Sequence, residues 1–131
     1  MSARQFERVL ALAATITVPL ALAVLPLGSV LALCDRWPLS PGARHSPPSL
    51  TRRVRRWLAR GRGPWTSSCL TRSLVLYTML RQHGYRPRIV IGVDGVRRHF
   101  DAHAWVELDG KPVEEPADTT ATFRELFVHA R

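Results

Sequence analysis

The run S-C-L-T-R-S-L-V-L-Y-T-M-L-R-Q-H-G, residues 68–84, decides the fold. Leu70, Leu74, Tyr77 and Leu80, with Val75 and Leu76 alongside, form the broad apolar stripe of a buried helix. Ser67 or Ser68 supplies a side-chain oxygen for the first backbone N–H groups, and Gly84 ends the helix after His83. Cys69 therefore falls in the first turn. There the unpaired N–H groups and the positive end of the helix dipole favour a thiolate over a thiol. The same N–H groups are placed to stabilise an oxyanion formed by attack on a carbonyl.

Working outward, Arg88 to Asp94 is rich in β-branched residues and is bounded by Pro87 and Gly95, the pattern of a strand. Phe100 to Leu108 is a second strand, Asp109-Gly110 a turn signal, and Lys111 to Glu115 the start of a third. Strand alternation sends His103, Trp105 and Glu107 to one face, and Ala102, Ala104 and Val106 to the other. The small alanines let a facing helix come close. An imidazole at 103 near a helix-start thiol is a general base for it, and an acid for a leaving amine.

A base of this kind needs an orienting acceptor, and the third strand brings two. With a two-residue turn, Trp105 pairs with Glu114, which then shares the face of His103. With a three-residue turn ending in a glycine bulge it pairs with Glu115, since one residue of register exchanges the faces. The sequence D-G-K suits the bulged form, which selects Glu115, with Glu114 as the alternative. A short final helix is expected around Phe123, Leu126 and Phe127.

The sequence divides into an apolar helical segment at 1–36, a Pro-rich linker at 37–48 and a globular domain at 49–131, an α+β organisation. No formal charge occurs from Val9 to Cys34, long enough to cross a hydrocarbon core of about 30 Å. Pro19, Pro26 and Gly28 interrupt it, so two shorter helices packed on the domain or on a partner are the competing reading. A cleaved signal fits less well: Glu7 mixes into the basic start, and Leu33 spoils a lipoprotein site at Cys34. A helix from Ser49 to about Arg60 carries Leu50, Val54, Trp57 and Leu58 on one side and arginines on the other.

The net charge of +9 comes almost wholly from arginine, and much of it lies between Arg44 and Arg62. Acidic peptides and anionic lipid are the partners such a field attracts. Nucleic acid is not expected, because the arginines are not interleaved with stacking aromatics. No metal site is expected from linear ligand spacing, and no cofactor is implied. Two cysteines in unlike surroundings give no disulfide framework and suit a reducing compartment.

The segments S-C-L-T-R-S-L-V-L-Y-T-M-L-R-Q-H-G, I-V-I-G-V and F-D-A-H-A-W-V-E-L-D-G-K-P-V together resemble the transglutaminase-like leader peptidases of bacterial lasso-peptide biosynthesis, over about Trp65 to Glu115. The resemblance implies a papain-like helix on an antiparallel sheet, with Cys69 as nucleophile and His103 as base. The family's third member is an aspartate, and Glu115 stands at that position here. It further implies a cytoplasmic peptidase acting on a precursor peptide with a separate leader-binding protein and an ATP-dependent lasso cyclase, with membrane contact through residues 9–34 as an added option. Two rival readings are an acyltransferase using the same Cys-His pair and a non-catalytic, membrane-anchored binding module.

Overall fold

A computed structural model describes residues 2–130, apart from 41, 43, 66–67, 95–100, 115–119 and 121–122. Among the described residues, four helices precede a four-stranded antiparallel sheet: α1 (Ala3–Val24), α2 (Leu27–Asp35), α3 (Pro47–Leu58), α4 (Cys69–Gln82), β1 (Arg88–Asp94), β2 (Asp101–Leu108), β3 (Lys111–Pro112) and β4 (Arg124–Ala130). The sheet order is β3-β2-β1-β4.

The apolar N-terminal block is two helices, not one continuous span. A capping box starts α1: Gln5 N–H donates to Ser2 Oγ, and Ser2 N–H returns the bond to Gln5 Oε1. The helix runs through Pro19 and stops where Leu25 turns extended ahead of Pro26. Since the residue before a proline is driven out of the helical region, the break sits where the sequence demands it. Ser46 caps α3, with Pro47 and Pro48 in its first turn, where a missing N–H costs nothing. That helix begins two residues before the expected Ser49, because both prolines extend it rather than the linker.

Helix α4 is the centre of the molecule. It contacts α1, α2, α3, β1 and β2, and Ser73 through Leu80 are all buried along it. Leu74, Leu76, Tyr77 and Leu80 pack with Val18 of α1, Val30 of α2, Leu50 and Val54 of α3, and Ile89 and Val106 of the sheet. Gly84, at φ +83, closes α4 in the left-handed region that glycine alone enters freely, and its N–H donates to Arg81 O.

Two expectations are corrected. The residues of β4, expected as a helix, pair antiparallel with β1 from Arg88↔Ala130 to Val93↔Arg124. Phe123, Leu126 and Phe127 do stand at helical spacing, but β1 would otherwise leave an open row of backbone groups at the sheet edge, and that pairing wins. The hairpin between β2 and β3 has the two-residue turn, not the bulged one. Leu108 pairs with Lys111, and Asp109 and Gly110 both take positive φ, 53° and 80°, as a type I′ turn requires.

An ion network ties α1 to the domain. Glu7 is almost fully buried; its carboxylate accepts from Arg53 of α3, with His83 Nε2 at 3.1 Å and His45 Nε2 at 3.7 Å. Burial pulls the Glu7 carboxyl upward, but the hydrogen bond and charge of Arg53, helped by His45 and His83, outweigh it and hold the group below its ordinary value of 4.5. Burial likewise holds the His83 imidazole below its ordinary 6.5, against the pull of Glu7. Both groups bind protons more weakly folded than unfolded, so their contribution is complete above the unfolded values and is lost as pH falls through the folded ones. Tm should therefore drop in a first step below about pH 6.5, from His83, and a second below about pH 4.5, from Glu7. In His83→Gln the first step should flatten; an unchanged Tm profile in that variant would refute the assignment.

Candidate active site

Ser68 is the N-cap of α4, its Oγ accepting from Thr71 N–H at 3.3 Å. Cys69 is thus the first helical residue, and its N–H and that of Leu70 are among the donors the helix itself leaves unused. It is half-buried, whereas Cys34 is sealed in the core. Burial pushes the Cys34 thiol up to about 11, which leaves it a packing residue and an inert one. Of the two sulfurs, only Cys69 combines a helix start with access.

The loop that delivers Cys69 is anchored from a distance. Trp65 Nε1 donates to the Ile16 carbonyl of α1 at 2.9 Å. The N-terminal helix therefore holds Trp65, four residues before the thiol, a link that no local sequence pattern announces.

His103 lies on β2 opposite Gly92 of β1. The expected alternation holds: Val106 and Ile89 enter the helix-packed core, while His103 stacks on Trp105, with ring centroids 5.7 Å apart, on the other side. Phe123 closes on the imidazole at 5.3 Å and on Trp105 at 6.0 Å. Gly92 makes room for this wall, since a Cβ there would sit 3.0 Å from the Trp105 ring and 3.1 Å from the Phe123 Cβ. Trp105 is fixed in turn: its Nε1 donates to Glu107 Oε2 at 2.8 Å, and Arg88 Nε donates to Glu107 Oε1 at 3.0 Å. Glu107 is therefore a positioning residue for the aromatic wall, a role that its place on the strand suggested only as a shared face.

Helix and strand are pinned by Ser73, one turn after Cys69, whose Oγ donates to Ala104 O at 3.1 Å. Through His83–Pro87 the chain turns back from α4 into β1, and β2 runs antiparallel to β1, so α4 and β2 start at the same end. The starts of α4, with Cys69, and of β2 therefore lie at the same end of the helix–strand contact. The imidazole rises from the sheet face opposite the one on which α4 packs, so the structure places Cys69 and His103 on different sides of β2.

The third position is less direct. The two-residue turn puts Val113 N–H on Val106 O at 2.9 Å, the register that brings Glu114 level with Trp105. Regular pairing ends at Pro112, however, and the Glu114 carboxylate accepts from Arg72 Nε of α4 at 2.8 Å while its carbonyl accepts from Arg55 of α3. Glu115 lies outside the described residues. Away from this site, Glu7, His45 and His83 offer one ligand atom each, all within 4.8 Å of one another. Linear spacing could not reveal that group, because its members come from α1, the linker and the end of α4. With Arg53 on the carboxylate it serves as an ion network.

A cysteine at the start of a helix packed on an antiparallel sheet is a fold of the cysteine-peptidase and acyltransferase type. The family model of the transglutaminase-like superfamily matches residues 13–128, and the chain belongs to that superfamily. No curated protein and no solved structure gives a match.

Proposed function

We propose that the chain is a cysteine peptidase that removes the leader from a ribosomally made lasso-peptide precursor. The observation that supports this most is the Ser73–Ala104 hydrogen bond, which joins α4 one turn after Cys69 to β2 one residue after His103. The motif segments that resemble the leader peptidases carry both residues. Cys69 gives its proton to His103 and attacks the carbonyl carbon at the leader–core junction. The C–N bond breaks as His103 protonates the departing core amine. Water, deprotonated by His103, then opens the leader thioester and restores the thiol. First-turn N–H groups of α4 stabilise the oxyanion at both stages. Orientation of His103 by a carboxylate, Glu115 or Glu114, belongs to the same proposal, as do a separate leader-binding protein and an ATP-dependent cyclase as partners in the cytoplasm.

Superfamily membership is equally compatible with acyl transfer, in which an amine replaces water. Product masses separate the two. With precursor and leader-binding protein present, hydrolysis yields free leader and core whose masses together equal the precursor plus one water. A leader joined to an added amine would instead favour the acyltransferase, and intact precursor would overturn both.

A further inference from the structure

Helix α1 is built inside out for a water-soluble protein. Its buried side carries small residues, Ala11, Ala14, Val18 and Ala21, against α4, whereas Phe6, Val9, Leu12, Ile16, Leu20 and Val24 are between 39% and 71% exposed. These six recur at intervals of three or four, so they form one stripe along the whole helix, roughly 33 Å at 1.5 Å per residue. A contiguous apolar surface of that extent marks an interaction site.

What borders the stripe says what it meets. Trp57 of α3 and Trp65 line a shallow apolar groove with Leu12, Thr15 and Ile16, and beyond Leu12 the groove is rimmed by Arg8, Arg53 and Arg56. Tryptophans beside a hydrocarbon stripe, with arginines at its edge, are the composition of a surface seated at the headgroup level of a bilayer. The stripe itself offers no hydrogen-bonding side chain that would set the register of a protein partner. Helix α1 is apolar and long enough to cross a membrane. Spanning would nevertheless strip α1 from α4 and part Glu7 from Arg53, Gln82 and His83, contacts that bury its inner side.

We propose that this face docks the intact domain onto an anionic phospholipid surface, with α1 lying in the plane of the interface. Phe6, Leu12, Ile16 and Leu20 enter the acyl boundary, and Arg8 and Arg56 meet the headgroups. Cys69 follows Trp65 closely in the chain, so docking holds the mouth of the candidate active site near the membrane. This inference stands whether or not the leader-peptidase reading is correct.

The full-length chain is floated with vesicles of phosphatidylcholine alone and with vesicles holding about 30% phosphatidylglycerol, at low and at high salt. Expected is flotation with the anionic vesicles, weakened by salt and by at least tenfold less binding to the neutral ones. Ile16→Glu/Leu20→Glu should lose binding more than about 20-fold, and Arg8→Gln and Arg56→Gln about fivefold each. All four residues changed are solvent-facing or groove-lining, so the variants should keep the circular dichroism and Tm of the parent. Lys111→Gln, which lines neither the stripe nor its arginine rim, should bind as the parent does. A chain that stays unbound with anionic vesicles, or variants of the stripe that float undiminished, would overturn the proposal. So would a lipid-free dimer, seen by light scattering, that Ile16→Glu/Leu20→Glu dissolves, since the stripe would then be covered by a second copy.

Discussion

Replacing Cys69 with alanine should lower leader removal by on the order of 10⁴-fold or more, the loss expected when the nucleophile of a unit that acts together is deleted. The effect has to be chemical rather than structural. Cys69 is half-buried at the first position of α4, not in the core, and alanine is the best residue for a helix. The cap from Ser68 and the Ser73–Ala104 bond do not involve the thiol, so Tm should move by no more than a degree or two. His103→Ala should lose activity by a similar factor. Part of its cost will be the stacking on Trp105 and Phe123, so its stability must be read beside its rate. Cys34→Ala gives the opposite pattern: activity per folded molecule should remain, while a small cavity in a sealed site costs about 1 kcal/mol. Retained cleavage by Cys69→Ala would remove the thiol from the reaction.

Arg53→Ala carries the largest expected loss of stability. Its guanidinium and the Glu7 carboxylate are 13% and 5% exposed as side chains, and removing one partner of such a pair strands the other charge. The penalty for a buried pair is about 3–5 kcal/mol. Here it should fall toward the lower end, because His45 and His83 stand close enough to share the charge. At several degrees per kcal/mol for a domain of this size, Tm should fall by about 10 °C. The double change Glu7→Leu/Arg53→Met should recover most of that loss, since an apolar replacement leaves no stranded charge. Denaturant or thermal melts of the three chains give the answer, and a double variant as unstable as Arg53→Ala would show that the loss is one of packing.

What the sequence made legible was local. The apolar stripe from Leu70 to Leu80 gave α4, the β-branched run gave β1, and alternation around His103 gave β2 and its two faces, because each depends on a few neighbouring residues. The break between α1 and α2 was legible for the same reason, through Pro26. The hairpin turn was not, since D-G-K satisfies both loop lengths and the choice rests on how Lys111 pairs with Leu108. Strand β4 was misread because Phe123, Leu126 and Phe127 suit either period, and only the open edge of β1 decides between them. Of the candidate site, the place of Cys69 at a helix start and of His103 on a strand was readable. The supports around them, Trp65 on Ile16, Glu107 on Trp105 and the space at Gly92, join residues from separate elements and emerge only once the chain is folded.

The proposed service of the Cys69 sulfur by the His103 imidazole is tested by the rate at which iodoacetamide modifies Cys69 at neutral pH, followed residue by residue by mass spectrometry. The predicted result is modification of Cys69 at least tenfold faster in the parent than in folded His103→Ala, with Cys34 untouched in both. Equal rates in the two chains would contradict it, because a histidine that serves the thiol cannot be removed without slowing it.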